Sequence, residues 1–171
     1  MTMAFWDLFK SGNEKNEDYK HGLYQKSKEL FPDADENKLV RLTCIAGLMA
    51  RVAYSDLNID DNEVALIKKS IEEISEFDQK DSNALAELAL KEIKVLAGQE
   101  NHRYCYELNE HIDNDEKYQV LKLLFAIAAA DGEVESVESE EIRHITKALL
   151  LEHKHYVSAQ ATVRDKLKTL K

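Results

Sequence analysis

Asp56-Leu57-Asn58-Ile59-Asp60-Asp61-Asn62-Glu63 and Asp131-Gly132-Glu133-Val134-Glu135-Ser136-Val137-Glu138 are two copies of one pattern, Asp-x-x-(Ile/Val)-x-x-x-Glu, in a chain of 171 residues. The register holds beyond the acids. Leu48, Met49, Val52, Ala53, Ile67 and Ile74 are matched at the same offset by Leu123, Leu124, Ile127, Ala128, Ile142 and Leu149. One slipped residue destroys that agreement. The echo therefore predicts a duplicated helix–acidic loop–helix unit, with halves at about 38–76 and 113–151 related by a pseudo-two-fold axis.

The sequence around the echo reads as helix. One Pro and five Gly interrupt it, and Ala, Leu, Glu and Lys fill long stretches, which favours helix almost throughout. Leu42, Ile45, Met49, Val52 and Ala53 make an apolar stripe at helical spacing over 36–55, as Val120, Leu123, Leu124, Ile127 and Ala128 do after 113. Pro32 stops a first helix over 19–31, because its ring disfavours helical geometry in the residue before it. Asp33-x-x-Glu36 and Asp113-x-x-Glu116 have the spacing of capping boxes. Further helices are expected over 82–97, ended by Gly98, over 101–112, and over 157–170 at the C-terminus. The fold expected is all-α, a single globular helical bundle of about seven helices, occupying 19–171. Residues 1–18 are an N-terminal aromatic segment and polar linker.

Charge narrows the function. Against 23 basic residues stand 33 acidic ones, a net charge of −10, which opposes attraction to nucleic acid or to an anionic membrane. No apolar run approaches the roughly 20 residues that span a bilayer, and the N-terminus lacks a basic stretch followed by an apolar signal core, so a cytoplasmic protein is expected. Phe5, Trp6 and Phe9 form an aromatic patch ahead of the linker. Packing on its own domain is the expected use of that patch, with peripheral membrane contact or docking to a partner as the alternative. Cys44 and Cys105 lack metal-type or redox-type spacing and read as buried, reduced thiols.

The repeated acids are the candidate site. On a helical wheel Asp56 continues the stripe of Ile45, Met49 and Val52, and Asp131 that of Val120, Leu124 and Ile127. Glu63 shares a face with Ile67, Ile71 and Ile74, and Glu138 with Ile142, Ile145 and Leu149. Four carboxylates are thus expected to face inward where the apolar stripes run out. Partly buried carboxylates repel unless protonated, hydrogen-bonded or bridged by a cation. A hard divalent cation such as Ca²⁺, Mg²⁺ or Mn²⁺ suits this all-oxygen set, with Asn58, Asp60, Glu133 and Glu135 as weaker ligands. Zinc is a poor fit, since neither loop holds a His or Cys.

Helix capping competes with this reading. Asp60 and Glu63 have capping-box spacing, and Glu138 stands in the same place behind Glu135, with Ser136 as another cap. Capping explains each Glu better than each Asp, which sits where the helix dipole disfavours an anion. A regular EF-hand is excluded: Asp56, Asn58 and Asp60 match its first ligand positions, but its Gly position holds Asp61 or Ser136 and its bidentate Glu position holds Ile67 or Ile142. Glu141-x-x-His144 resembles half of a di-iron site, yet the first repeat has Leu66 and Lys69 there. It reads as an ion-pairing face.

Val52-Ala53-Tyr54-Ser55-Asp56-x-x-Ile59-x-x-x-Glu63 and Ala126-Ile127-Ala128-Ala129-Ala130-Asp131-Gly132-Glu133-Val134-x-x-x-Glu138 resemble the TerB-type tellurite-resistance family, whose TerB-like domain also occurs in DnaJ-like co-chaperones. The likeness spans 38–151. It departs from the family pattern at Leu57, which stands where Gly is usual. The resemblance implies a duplicated all-helical bundle with a metal-binding acidic surface, and an association with stress and metal-oxyanion resistance. An acidic protein repels the tellurite anion itself. The function expected is a non-enzymatic module that binds a divalent cation or a protein partner through its paired acidic loops. The alternatives are a metal-dependent hydrolase built on the same acids and a structural or assembly protein whose acids only cap helices.

Overall fold

A computed structural model describes residues 22–95 and 102–168. Phe5, Trp6 and Phe9 lie outside the described residues, as do Ala97 and Gly98. Among the described residues eight α-helices follow one another: α1 (Leu23–Leu30), α2 (Glu36–Ala53), α3 (Asp61–Ile74), α4 (Gln79–Val95), α5 (His102–His111), α6 (Asn114–Ala128), α7 (Ser136–Ala148) and α8 (His153–Ala161), then a 3₁₀ turn at Arg164–Lys166. The described residues are all-α, a single helical bundle with no strand beyond one isolated bridge.

α2 is the axis of the bundle. Leu39, Leu42, Leu48, Met49 and Val52 bury its apolar positions, and Ala46, Gly47, Ala50 and Ala53 bury most of the rest. A helix covered on nearly every side must be surrounded, and α2 is packed by α1, α3, α4, α5, α6 and α7. Its small residues let neighbours come close. A Cβ added at Gly47 would stand 2.8 Å from the Tyr104 ring of α5, so the absent side chain is what lets that ring lie on α2. Phe31 and Phe77, 4.5 Å apart between ring centroids, close the ends of α1 and α3 together.

Sequence-matched positions take matched places. Met49 and Leu124, Val52 and Ile127, Ala53 and Ala128, and Ile67 and Ile142 are all buried, whereas Ile74 is exposed and its counterpart Leu149 buried. Cross-links tie the two halves: Arg51 Nε donates to Glu141 Oε1 at 2.8 Å, joining α2 to α7, and Arg41 pairs with Glu116 at the start of α6. The Glu141–Arg51 pair and the exposed His144 agree with an ion-pairing face rather than a ligand set. Cys44 and Cys105 are free and buried, and desolvation pushes both thiols up, Cys105 to about 12.

One cap and two boundaries differ from expectation. α2 is capped by Asp35, whose side chain accepts from Lys38 N at 2.9 Å, not by Asp33. A turn in which Ala34 N donates to Phe31 O takes up the residues after Pro32, so Asp33 stands short of the helix that starts, as expected, at Glu36. α4 starts at Gln79, before Ser82, because Asp78 Oδ1 accepts from Asp81 N at 2.8 Å. The closing helix begins earlier than 157 and stops at Ala161, after which the chain passes through the 3₁₀ turn and Leu167 forms a parallel bridge with Val134.

Candidate functional site

The backbone bonds that open the two acidic loops are alike. At the end of α2, Tyr54 N donates to Ala50 O, Ser55 N to Val52 O and Leu57 N to Tyr54 O. At the end of α6, Ala129 N donates to Phe125 O, Ala130 N to Ile127 O and Gly132 N to Ala129 O. Leu57 and Gly132 hold the one left-handed position of each loop, at φ 65° and 108°. Replacing the usual Gly therefore leaves the loop's path unchanged, at the expense of strain in Leu57.

The acids then fold onto their own loops. Asp56 Oδ1 accepts from Asn58 N at 2.8 Å and Asp131 Oδ1 from Glu133 N at 3.1 Å, each an Asx turn. Glu63 Oε2 accepts from Asp60 N and Glu138 Oε2 from Glu135 N, both at 2.8 Å. Asp60 Oδ1 in turn accepts from Asn62 N at 2.7 Å. Asp60 and Glu135 are thus the N-cap residues of α3 and α7, and Ser136 is the first helical residue rather than a cap.

Burial separates the four principal acids. Glu63 and Glu138 are only 3% and 4% exposed, while Asp56 and Asp131 are exposed. The inward orientation expected of all four holds for the glutamates alone. Asp56 and Asp131 lie past the last turn of α2 and α6, where the helical wheel no longer dictates direction. Asn58 is also exposed, Asp60 and Glu133 are half-buried, and Glu135 gives both carboxylate oxygens to Lys168 Nζ, at 2.7 and 3.0 Å.

The loops nevertheless come together. Glu63 and Glu138 are near enough to hydrogen-bond to each other, and both feel the charges of Asp56 and Asp131. Burial is the main cause that lifts Glu63 to about 7 and Glu138 to about 8, opposed by the backbone N–H each accepts and reinforced by the neighbouring carboxylates. Protonation of either one relieves the repulsion. None of Asp56, Glu63, Asp131 and Glu138 has an ion pair with Lys, Arg or His among the described residues.

An oxygen-only donor set of this kind suits a hard cation. Its disposition is not a finished cage: among the described residues no group of three or more His, Cys, Asp or Glu side chains is placed to hold a metal ion. Each principal acid gives one oxygen to its own loop. Two features escaped the sequence reading. Glu107, in α5, is a buried carboxyl raised to about 7 by burial and then by Glu110, and its Oε1 finds no partner among the described residues. Cys105, Leu108 and Ile112 make the buried stripe of this stretch, and a carboxyl beside such a stripe is ordinarily read as facing solvent. Lys168 escaped because the tail was read as helix.

No helix among the described residues is long and apolar enough to cross a membrane. A search of curated proteins and a search of solved structures each return no match. The family model for tellurite resistance protein TerB matches residues 41–161, a span that begins in α2, ends with α8 and contains both acidic loops. The chain belongs to the TerB family.

Proposed function

We propose that this TerB-family chain is a non-enzymatic module that takes a divalent cation, Ca²⁺, Mg²⁺ or Mn²⁺, between its two acidic loops and acts as an adaptor in a stress or tellurite-resistance response. The observation that carries the reading is the meeting of Glu63 and Glu138, two buried carboxyls without a basic partner among the described residues. Capping accounts for one oxygen of each. It gives no reason to bury two caps against each other beside two further acids. A hydrated ion such as Mg²⁺, which keeps several waters and takes only one or two carboxylates directly, suits an arrangement that is not a closed cage.

A second reading, that the surface takes a protein partner, is favoured by Leu57. Its side chain is 74% exposed on a left-handed backbone beside Asp56, a costly place for an apolar residue with no contact to make. Mn²⁺ titration followed by NMR tests the cation reading, because the paramagnetic ion broadens amides close to it. Broadening is expected first at 56–63 and 131–138. Broadening centred on any other acidic stretch, or spread evenly over the surface, removes the reading.

A further inference from the structure

The C-terminal tail makes the two loops unequal. After the 3₁₀ turn, Val134 N donates to Lys166 O at 2.7 Å and Lys168 N donates to Val134 O at 3.2 Å, so the tail runs parallel to the second loop for one residue pair. Leu167 and Val134 are both buried there. This anchorage sets Lys168 Nζ on both oxygens of Glu135, where its charge also acts on Glu133 and Asp131. In the first loop the matching residues are Ile59 and Asp60. Among the described residues the Ile59 N–H and C=O take no hydrogen bond, and the Asp60 carboxylate turns back to Asn62 N instead of meeting a lysine. Apart from the Ser55 hydroxyl, which donates to Val52 O where the second loop has Ala130, the other backbone bonds of the two loops correspond, so the tail is the main difference between them.

We propose that residues 164–168 form a strap that competes with the cation: Lys168 occupies the Glu135 side of the acidic surface, leaving the first loop open and the second guarded. The inference rests on the cation reading above. An incoming divalent ion meets a resident ammonium on Glu135 and must share or displace it, so release of Lys168 is part of binding. An exposed ion pair is weak enough to be displaced and strong enough to be felt.

Mn²⁺ titrated into the full chain, with free Mn²⁺ followed by its electron paramagnetic resonance signal, tests this in the parent, Lys168→Gln and Lys166→Gln. The two variants lose the same charge from the same strap, but only Lys168 meets Glu135, and the Lys166 backbone oxygen remains available to Val134. Lys168→Gln is expected to bind Mn²⁺ roughly two- to fivefold more tightly, with Lys166→Gln close to the parent. Equal tightening in both variants means a general charge effect and overturns the strap. Binding by the parent that neither variant alters also overturns it, while leaving the cation reading standing. Absence of binding in all three proteins overturns both.

Discussion

Leu57 adopts φ 65° where its counterpart Gly132 adopts 108°. A left-handed backbone costs a side-chain-bearing residue about 1–2 kcal/mol, partly offset by the greater unfolded-state entropy of Gly. Leu57→Gly is therefore expected to raise stability by about 0.5–1 kcal/mol in urea unfolding. Gly132→Ala should cost about 1 kcal/mol even though a Cβ there meets nothing within 4 Å. A Leu57→Gly protein less stable than the parent contradicts the strain account. The buried glutamates give a pH dependence. Their folded-state values, about 7 for Glu63 and about 8 for Glu138, lie above the ordinary 4.5, so between those limits the native state keeps protons that the unfolded chain releases. Their contribution is fully present below about pH 4.5 and is lost as pH rises through 7 to 8. Glu107 acts in the same direction. The urea midpoint should thus fall from pH 5 to pH 8.5 without added cation, and Glu138→Gln should flatten the fall without abolishing it. A slope in Glu138→Gln equal to the parent's places Glu138 in water, against its burial.

At the scale of elements, caps and stripes carried most of what could be read. α2, α3, α6 and α7 were legible because apolar positions recur at helical spacing and because Asp60–Glu63 and Asp113–Glu116 set their starts; both of these capping boxes form. Asp113→Ala should cost about 1 kcal/mol, with the loss the same in cation and in chelator, since Asp113 is remote in sequence from both loops. A loss that cation removes contradicts a purely local cap. What failed was punctuation that depends on neighbours. Asp33 and Asp35 are equally good caps by composition, and the turn after Pro32 chooses between them. Tyr156, Ala159, Val163 and Leu167 are buried at spacings that suit a continuing helix. The tail leaves that helix because the second loop offers it a backbone N–H, a C=O and Glu135, partners that no local window displays.

At the scale of the molecule, two loops far apart in sequence meet, and Glu63 and Glu138 each feel the charges of Asp56 and Asp131. The exposure of Asp56 and Asp131 was not legible, because both lie beyond the helix ends from which their direction was judged. Nor was the asymmetry between the loops, which arises from a tail outside the repeat. The central claim is that the meeting glutamates bind a divalent cation in the native state only. Such binding stabilises by about 2.7 kcal/mol at a hundredfold excess over Kd, which for a chain of this size is roughly 5–10 °C in melting temperature. The decisive measurement is the melting temperature of the parent and of Glu63→Gln/Glu138→Gln in Ca²⁺, Mg²⁺ or Mn²⁺ against chelator at constant ionic strength. The account predicts a rise of that size with at least one ion in the parent and none in the double variant. An unchanged melting temperature with all three ions, or an equal rise in both proteins, contradicts it.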